Sequence, residues 1–355
     1  MPSLQRRAVA AVAPRVAGIV TEQLDGWSPG ATIDLGQEMR ALSLRVSSEV
    51  LFGISERERA GALGALLGDF MRRSFSTGVL VTSAYGRIPG SPYDRLHRHA
   101  ERIESAVAAL IEQRRGALGD DVISAMVRAR DSGVDWLLEE DLVGQVSLLF
   151  GASYETTAQA LVWTVLLLAQ HPEVASELRA ELEMAGPDPA FDALDALPLL
   201  DGVVRESLRL FPPVPYTIRI ATRDADILGA AVRRGDRVLC SHFFTHRIEE
   251  SFPQPRHFLP GRWKSAEPDA FEYVPFSAAP RICIGAGFST AVVKRAIGQL
   301  VLRSDFRLPD RTRIDTAVRV TLGTRARVPL KLAAPRGDFR RATVRGDFAH
   351  FLALD

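Results

Sequence analysis

The segment that decides the fold is residues 276–285, which read Phe-Ser-Ala-Ala-Pro-Arg-Ile-Cys-Ile-Gly and are followed by an amphipathic stretch over residues 288–302. It places Cys283 in a loop just before a predicted helix. A thiolate at the start of a helix is stabilised by free backbone N–H groups and by the helix dipole. Cys283 is therefore a candidate soft ligand for a metal, above all for haem iron, although many lone cysteines are simply small buried thiols.

The composition indicates a globular protein with nearly balanced charge. The chain has 355 residues, 46% of them hydrophobic, and 44 basic against 43 acidic residues. It can bury a large core and has no charge excess that favours nucleic acid or an anionic membrane. Two cysteines, Cys240 and Cys283, favour a reducing cytoplasm over a disulfide framework. The longest apolar run, residues 160–169, is too short to span a bilayer. We expect a cytoplasmic monomer without a transmembrane segment.

The spacing of apolar residues predicts a mainly α-helical chain with a minor β part. Helical spacing recurs over residues 4–24, 35–51, 93–115, 120–130, 139–170, 173–184 and 199–210. The segment 139–170 is apolar on most sides, which predicts a long, buried central helix. Strands are predicted over residues 214–220, 222–228 and 236–240, and strand-like pieces over residues 313–332.

Four motifs occur in a fixed order. They are Ala-Ser-Tyr-Glu-Thr-Thr at 152–157, Glu-Ser-Leu-Arg at 206–209, Phe-Leu-Pro-Gly-Arg-Trp at 258–263, and the cysteine loop. A Glu-x-x-Arg alone arises often by chance, but the ordered set is highly specific. In these motifs the chain resembles the cytochrome P-450 superfamily of haem-thiolate monooxygenases, and the last three are closer to its eukaryote-like bacterial branch than to the camphor-hydroxylase type.

The resemblance covers nearly the whole chain and implies the cytochrome P-450 fold, mainly α with minor β-sheets. It implies one domain over residues 1–332 and a C-terminal extension over residues 333–355. Family members carry a substantial segment before the position of Met1, so the resemblance also predicts that the N-terminal part of the fold is missing. The tail contains Arg-Gly-Asp-Phe twice, at 336–339 and 345–348, which favours a local duplication or a flexible extension.

The resemblance implies haem b as the cofactor and Cys283 as its axial ligand, whose thiolate donates electron density to the iron. It also implies that Phe276 and Gly285 contact the macrocycle, since a glycine lets the backbone pass close to it. Arg281 and Arg219 would hold a haem propionate through charge-assisted hydrogen bonds. The alternative for Arg219 is a solvated charge on a strand.

Glu206 and Arg209 are spaced i, i+3 and therefore lie on one helix face. In the family this pair is buried and joined by an arginine of the following coil, here Arg262. The three groups then pin the coil beneath the cysteine loop, and loss of one partner from such a buried network costs about 3–5 kcal/mol. We therefore expect a structural role for these residues and not a catalytic one.

Glu155 and Thr156 correspond to the acid–alcohol pair of the helix that serves oxygen activation in the family. The resemblance implies that Thr156 hydrogen-bonds the oxygen and that Glu155 relays protons from solvent. The alternative is that the Thr156 hydroxyl only bonds back to the carbonyl of Ala152. The family usually has glycine where Ser153 and Ala279 stand. At Ala279 the change would cost about 1 kcal/mol if the backbone there needs a positive φ.

The implied activity is the insertion of one oxygen atom from O2 into an apolar organic substrate, while the other atom leaves as water. No Gly-rich dinucleotide fingerprint follows a predicted strand. The electrons are therefore expected from a separate ferredoxin or flavodoxin-type donor with its reductase. Arginines near the cysteine loop, such as Arg281 and Arg295, are candidates to meet an acidic partner.

The substrate pocket is expected to be apolar. Its predicted lining includes Phe150, Thr217, Ile218 and residues 321–322. Two alternatives stay open beside the oxygenase. One is a haem-binding remnant of the family without oxygenase activity, because of the missing N-terminal segment or of Ser153. The other is a helical protein without haem, in which Cys283 is inert.

Overall fold

The computed structural model describes residues 6–133, 138–336 and 339–353, and helices dominate it. The helices are α1 (Arg6–Asp25), α2 (Leu35–Val46), α3 (Arg57–Ser74), α4 (Thr77–Ser83), α5 (Pro92–Arg115), α6 (Val122–Asp131), α7 (Glu139–Gln170), α8 (Pro172–Ala185), α9 (Phe191–Asp195), α10 (Pro198–Leu210), α11 (His242–Thr245), α12 (Ala286–Arg303) and α13 (Phe348–Phe351). The strands are β1 (Thr32–Asp34), β2 (Tyr216–Ile220), β3 (Ala225–Ile227), β4 (Ala230–Val232), β5 (Arg237–Ser241), β6 (Asp305–Arg307), β7 (Thr312–Arg313), β8 (Thr316–Val318), β9 (Leu322–Thr324), β10 (Pro329–Ala333) and β11 (Val344–Arg345). The prediction of a mainly α fold with minor sheets is confirmed.

The central helix α7 has the bounds that the sequence predicts. Residues 161–168 are at most 1% exposed, as the absence of a polar face on this part of the helix requires. Helices α2, α5, α10 and α12 pack against α7. The helix ends at Gln170, because Pro172 begins α8 and cannot continue the hydrogen-bond ladder.

Helices α3 and α4 were not predicted from the sequence. Helix α3 carries Gly61, Gly64 and Gly68 in its interior, and glycine lowers helix propensity. The packing explains Gly64, because a Cβ at that position would lie 2.7 Å from a methyl carbon of Leu44. The glycine therefore allows α3 to approach α2 closely.

The sheets are small. The largest has the antiparallel order β1-β10-β6, with Thr32 opposite Lys331 and Leu332 opposite Phe306. Two-stranded pairs are formed by β2 with β5, β3 with β4, β8 with β9, and β7 with β11. The single strand predicted over residues 222–228 is instead part of the β3–β4 hairpin, which turns near Leu228.

The described part of the tail packs into the core. Phe348 is fully buried and packs against the stacked rings of Phe211, at 5.3 Å, and Trp163, at 6.0 Å. The Asp347 carboxylate accepts from the backbone N–H and the hydroxyl of Thr316, at 2.6 and 2.9 Å. The expectation of a flexible extension is therefore wrong for residues 339–353. Residues 337–338 of the first Arg-Gly-Asp-Phe copy lie outside the described residues, and the domain boundary after residue 332 stays a prediction.

Among the described helices, none combines the length and the apolar character that crossing a lipid bilayer requires.

Candidate functional site

The cysteine loop presents Cys283 between the 3₁₀ turn Ala279–Arg281 and the start of α12, with its side chain exposed. The backbone N–H of Cys283 donates to the carbonyl of Phe276 at 2.8 Å, which closes the loop. Ser277 has the left-handed φ of 63°, whereas Ala279 lies in the right-handed 3₁₀ turn. The positive φ that would favour glycine therefore occurs at Ser277 and not at Ala279.

A cleft with two adjoining lobes lies between the cysteine loop and α7. The lining of the first lobe includes Cys283, Phe276, Arg281, Thr217, Pro213 and His242. The lining of the second lobe includes Gly285, Ser153, Thr157, Phe52 and Phe288. Thr156 and Ser289 line both lobes. The structure thus brings the predicted thiol ligand, three predicted haem contacts and the predicted catalytic alcohol to one cleft.

The donor set of this cleft fits a haem better than a bare metal ion. The described residues contain no group of three or more His, Cys, Asp or Glu side chains that could hold a metal. Cys283 would therefore be the single protein ligand, and a porphyrin supplies its own nitrogens. At Gly285 the φ is −90° and an added Cβ would lie 3.9 Å from the Cys283 sulfur, an ordinary contact. The residues present fit the cofactor that the motifs imply.

Glu206, Arg209 and Arg262 meet in one buried ion network. Glu206 and Arg209 are 0% exposed, and two nitrogens of Arg209 donate to the Glu206 carboxylate at 2.9 Å each. Arg262 and the Leu259 backbone N–H donate to its Oε1, both at 3.0 Å. The Trp263 indole N–H donates to its Oε2 at 3.0 Å. Both carboxylate oxygens accept more than one bond, so the geometry of the coil around them is fixed.

The rest of the Arg209 guanidinium holds the coil between residues 246 and 257. Its Nη1 donates to the carbonyls of His246 and Pro255, at 2.9 and 2.8 Å. Its Nη2 also donates to the carbonyl of His257 at 3.0 Å. One fully hydrogen-bonded guanidinium therefore ties α10 to three points of the coil.

His246 joins this network to the segment that enters the cysteine loop. Its Nδ1 lies 3.1 Å from the Arg209 carbonyl oxygen, and its Nε2 accepts from the backbone N–H of Val274 at 2.9 Å. These partners select the neutral tautomer with the proton on Nδ1. Burial lowers the pKa of His246 to about 3. The neutral ring therefore holds Val274, two residues before Phe276, against α10.

Thr156 lines the cleft, but its hydroxyl proton already forms a hydrogen bond within α7. Its Oγ1 donates to the carbonyl of Ala152 at 2.9 Å, so toward the cleft this oxygen can only accept a hydrogen bond. Ser153 also bonds back within α7, at 2.9 Å. The hydroxyls of Thr157 and Ser289 lie 3.0 Å apart and link α7 to α12.

Glu155 lies on a different face of α7 from Thr156 and lines a second cavity of about 500 Å³. We call it the arginine cavity, because Arg40, Arg72 and Arg319 are among its lining residues. The Glu155 carboxylate pairs with Arg40 of α2 at 3.0 and 3.2 Å. Burial pushes the pKa of Glu155 up, but Arg40, with smaller contributions from Gln159 and Arg72, holds the pKa below its ordinary value. The predicted acid and alcohol therefore line different cavities.

The two arginines expected at a propionate differ in position. Arg281 is exposed and lines the first lobe of the cleft. Arg219 is an exposed residue of β2 whose Nη1 donates to the neighbouring Ile218 carbonyl at 3.2 Å. Its charge nevertheless helps to lower the pKa of the cleft residue His242, for which burial is the main cause. Arg219 thus lies near the cleft but outside its lining.

Two other expectations are wrong. Arg295 is 6% exposed and donates to Asp188 and to the Pro189 carbonyl, at 2.6 and 2.7 Å, so it does not face a partner protein. Phe150 is fully buried with its ring 4.9 Å from Phe52, so it belongs to the core and not to the pocket.

The comparison with known families decides the identity. The cytochrome P-450 family model matches residues 2–329. The chain belongs to the cytochrome P-450 family. The resemblance read from the four motifs is confirmed, and cytochromes P-450 bind haem b, use redox partners and take hydrophobic substrates. They are haem-thiolate monooxygenases as a class.

Individual relatives agree with this assignment. A mycobacterial cytochrome P-450, number 139 of Mycobacterium tuberculosis, is 31% identical over 310 residues, which cover 84% of this chain and 71% of the relative. The cyclooctat-9-en-7-ol 5-monooxygenase of Streptomyces melanosporofaciens is 31% identical over 298 residues, which cover 80% of this chain and 64% of that enzyme. A cyanobacterial cytochrome P-450 solved with retinoic acid has a TM-score of 0.84 at 23% identity, over 94% of this chain and 76% of that one, and shows the fold alone.

Sequence reasoning missed several residues of the site. Arg40 lies 115 positions from Glu155 in the sequence, and no local sequence pattern predicts such a pair. His246 lies outside the four motifs from which the site was predicted. Trp263, by contrast, stands next to Arg262 in a quoted motif, and a buried indole N–H needs an acceptor. Its bond to Glu206 could have been anticipated.

Proposed function

We propose that this chain is a haem-thiolate monooxygenase that inserts one atom of O2 into an apolar organic substrate. The observation that carries the proposal is that the exposed Cys283 thiol and the Thr156 hydroxyl line the same cleft. Bound haem b supplies the activation of O2. The second oxygen atom leaves as water, which requires two electrons from a donor and two protons.

In this proposal the proximal residues position the cofactor. Cys283 would ligate the iron as a thiolate, which the N-terminal end of α12 favours. Phe276 and Gly285 would contact the macrocycle. Arg281 would hold a propionate. Arg219 would assist from the edge of the cleft, since its charge already reaches His242.

The distal residues would handle protons. Thr156 donates to Ala152 and can therefore accept a hydrogen bond from a proton-bearing group in the cleft. Glu155 would relay protons to this side of α7. Because its carboxylate is held by Arg40, it must exchange that partner for water before it can take up a proton.

We propose a separate ferredoxin or flavodoxin-type electron donor with its reductase. The exposed Arg281 and the exposed apolar side chains of Ile282 and Ile284 beside the cysteine support docking near the loop. Both cysteines are free, which supports a reducing compartment such as the cytoplasm. We further propose that the chain acts as a monomer.

Carbon monoxide difference spectroscopy tests the ligand. Haem-loaded protein, reduced and exposed to carbon monoxide, should show the strongly red-shifted Soret band of a thiolate-ligated ferrous haem. The Cys283→Ala variant should lose this band. The matched control is Cys240→Ala, which removes the other exposed cysteine, on β5, and should keep it.

Three outcomes separate the alternatives. A red-shifted band with product formation, given a competent electron donor, supports the oxygenase. The same band without turnover of any apolar substrate supports a haem-binding remnant. A band that persists in Cys283→Ala, or the absence of any Soret band in wild-type protein, contradicts the proposed ligand.

A further inference from the structure

The arginine cavity carries an uncompensated positive charge. Arg40 is paired with Glu155 across the cavity, at 3.0 Å. Arg72 shares Asp69 of its own helix with Arg73, at 2.7 and 2.8 Å. Arg319, at the turn between β8 and β9, has no ion-pair partner within the part of the chain that the structure describes. The Arg319 guanidinium at the cavity wall is therefore left for an anion.

The remaining wall of the cavity is largely apolar. It includes Leu44 of α2, Ala65 and Met71 of α3, and Val320 beside Arg319. Such a wall accommodates a hydrocarbon body while a single guanidinium binds a head group of charge −1. A carboxylate matches a guanidinium in shape, because the two planar groups form paired hydrogen bonds.

The cavity and the cleft meet at two segments of the chain. On α7, Glu155 lines the cavity and the next residue, Thr156, lines the cleft. On β9, Gly323 lines the cavity, while the neighbouring Leu322 donates its backbone N–H at 2.8 Å to Pro213, a residue of the cleft lining. These two segments therefore connect the wall of the cavity to the wall of the cleft that holds the proposed reaction site.

The hairpin that carries Arg319 is held at its base. The Trp163 indole N–H donates to the Leu322 carbonyl at 2.9 Å, and Asp347 of the tail accepts two hydrogen bonds from Thr316. At the tip, the backbone N–H of Arg319 donates to the carbonyl of Thr321 at 3.1 Å. The base positions the guanidinium, and its exposed tip leaves the side chain free to reach a ligand.

From these observations we propose that the substrate is an amphipathic monocarboxylate whose head group binds Arg319 in the arginine cavity. This proposal rests on the proposed monooxygenase function and narrows its substrate class. The cavity selects for an anionic head group on an apolar body, and neutral hydrocarbons of the same length bind more weakly.

Isothermal titration calorimetry on the full chain tests the inference with decanoate and its neutral counterpart decanamide as probes. At low ionic strength we expect decanoate to bind about tenfold more tightly than decanamide, since a charge-assisted hydrogen bond is involved. Arg319→Gln should weaken decanoate binding about fivefold, the modest effect expected for an exposed charge, and leave decanamide binding unchanged. Arg319→Lys should keep most of the decanoate affinity.

The matched control is Arg325→Gln. Arg325 is an exposed arginine just after the same hairpin that does not line the cavity, so decanoate binding should not change. Equal affinities for decanoate and decanamide overturn the inference. An effect of Arg325→Gln as large as that of Arg319→Gln also overturns it, because it would indicate diffuse charge attraction. Acetate binding as tight as decanoate binding does so too, since it would indicate a simple anion site.

The carbon monoxide spectrum of the same protein preparation separates the two proposals. A red-shifted band without decanoate preference overturns the substrate class and leaves the proposed function standing. Decanoate preference with the Arg319 effect, but without the band, supports the anion site and contradicts the haem-thiolate function.

Discussion

The buried ion network and the arginine cavity differ in how far their charged groups are buried and paired. In the network, Glu206 and Arg209 are 0% exposed and every carboxylate oxygen has several donors. In the cavity, the Arg40 side chain is 49% exposed and Arg319 has no ion-pair partner among the described residues. Buried and fully hydrogen-bonded charges hold one geometry, whereas exposed pairs exchange with water at little cost. The rigid region therefore lies on the side of the cysteine ligand, and the adjustable region lies where a substrate would bind.

The largest effect is expected from Glu206→Gln. The substitution keeps the shape of the side chain but leaves the buried Arg209 without its counter-charge. Loss of one partner of a buried ion pair costs about 3–5 kcal/mol in the free energy of unfolding. Urea unfolding followed by circular dichroism measures this loss. The carbon monoxide band measures whether Cys283 still ligates the haem iron in the variant.

Glu250→Gln is the matched control, because it removes an exposed glutamate of the same coil. It should change neither the unfolding midpoint nor the spectrum. If the two glutamine variants had similar stability, the network would not be the rigid support of the cysteine loop.

The next effect concerns acid stability and His246. Its pKa is lowered to about 3 in the folded chain, while an unfolded histidine titrates near 6.5, about the ordinary value. Between these two values unfolding takes up a proton, so the free energy of unfolding falls as the pH falls below about 6.5. The contribution of His246 lost between pH 7 and pH 5 is about 2 kcal/mol.

His246→Gln removes this titration, so its stability should fall less steeply between pH 7 and pH 5 than that of the wild-type protein. The comparison uses slopes, because the variant also loses hydrogen bonds and will be less stable at every pH. His350→Gln, at an exposed histidine of α13, should keep the wild-type slope. A His246→Gln slope equal to that of wild type would show that the ring is not held neutral by the fold.

The rigid region was also the region that the sequence predicted better. Cys283, Glu206, Arg209 and Arg262 stand in short motifs, and the structure places the last three in one network. Their chemistry depends on residue type and close spacing, which a sequence displays directly. Arg40 could not be predicted in the same way, because its contact with Glu155 depends on how α2 packs against α7.

The same division applies to the fold. The bounds of α7 followed from its long apolar pattern, since a buried helix needs no polar face. Helix α3 was missed because its interior glycines serve packing against Leu44 and weaken the local helix signal. The tail was predicted to be flexible because its repeats are charged. Phe348 within them packs against Trp163 and Phe211, which are distant in the sequence.

The smallest effect is expected from Arg40→Gln, which breaks the adjustable pair. Burial raises the pKa of Glu155, while Arg40, Gln159 and Arg72 together hold it below its ordinary value, so without Arg40 the pKa should rise. The Glu155 side chain is only 15% exposed, but Arg40 is about half exposed and solvent screens the pair, so loss of Arg40 should cost only about 1 kcal/mol at pH 7. Because the folded pKa of Glu155 lies below its unfolded value of 4.5, this stability is present above pH 4.5 and is lost as the pH falls through the folded pKa.

Unfolding of wild-type protein and Arg40→Gln at pH 7 and at a series of lower pH values measures the difference, which should shrink as the pH falls through the folded pKa of Glu155. The control Arg73→Gln removes an exposed arginine that pairs with Asp69 within α3, and it should leave stability unchanged. A difference that persists at low pH would mean that Arg40 acts through packing of its carbon stem and not through the carboxylate. A cost as large as that of Glu206→Gln would mean that the pair is as rigid as the buried network, and Glu155 could then not exchange Arg40 for water as proton relay requires.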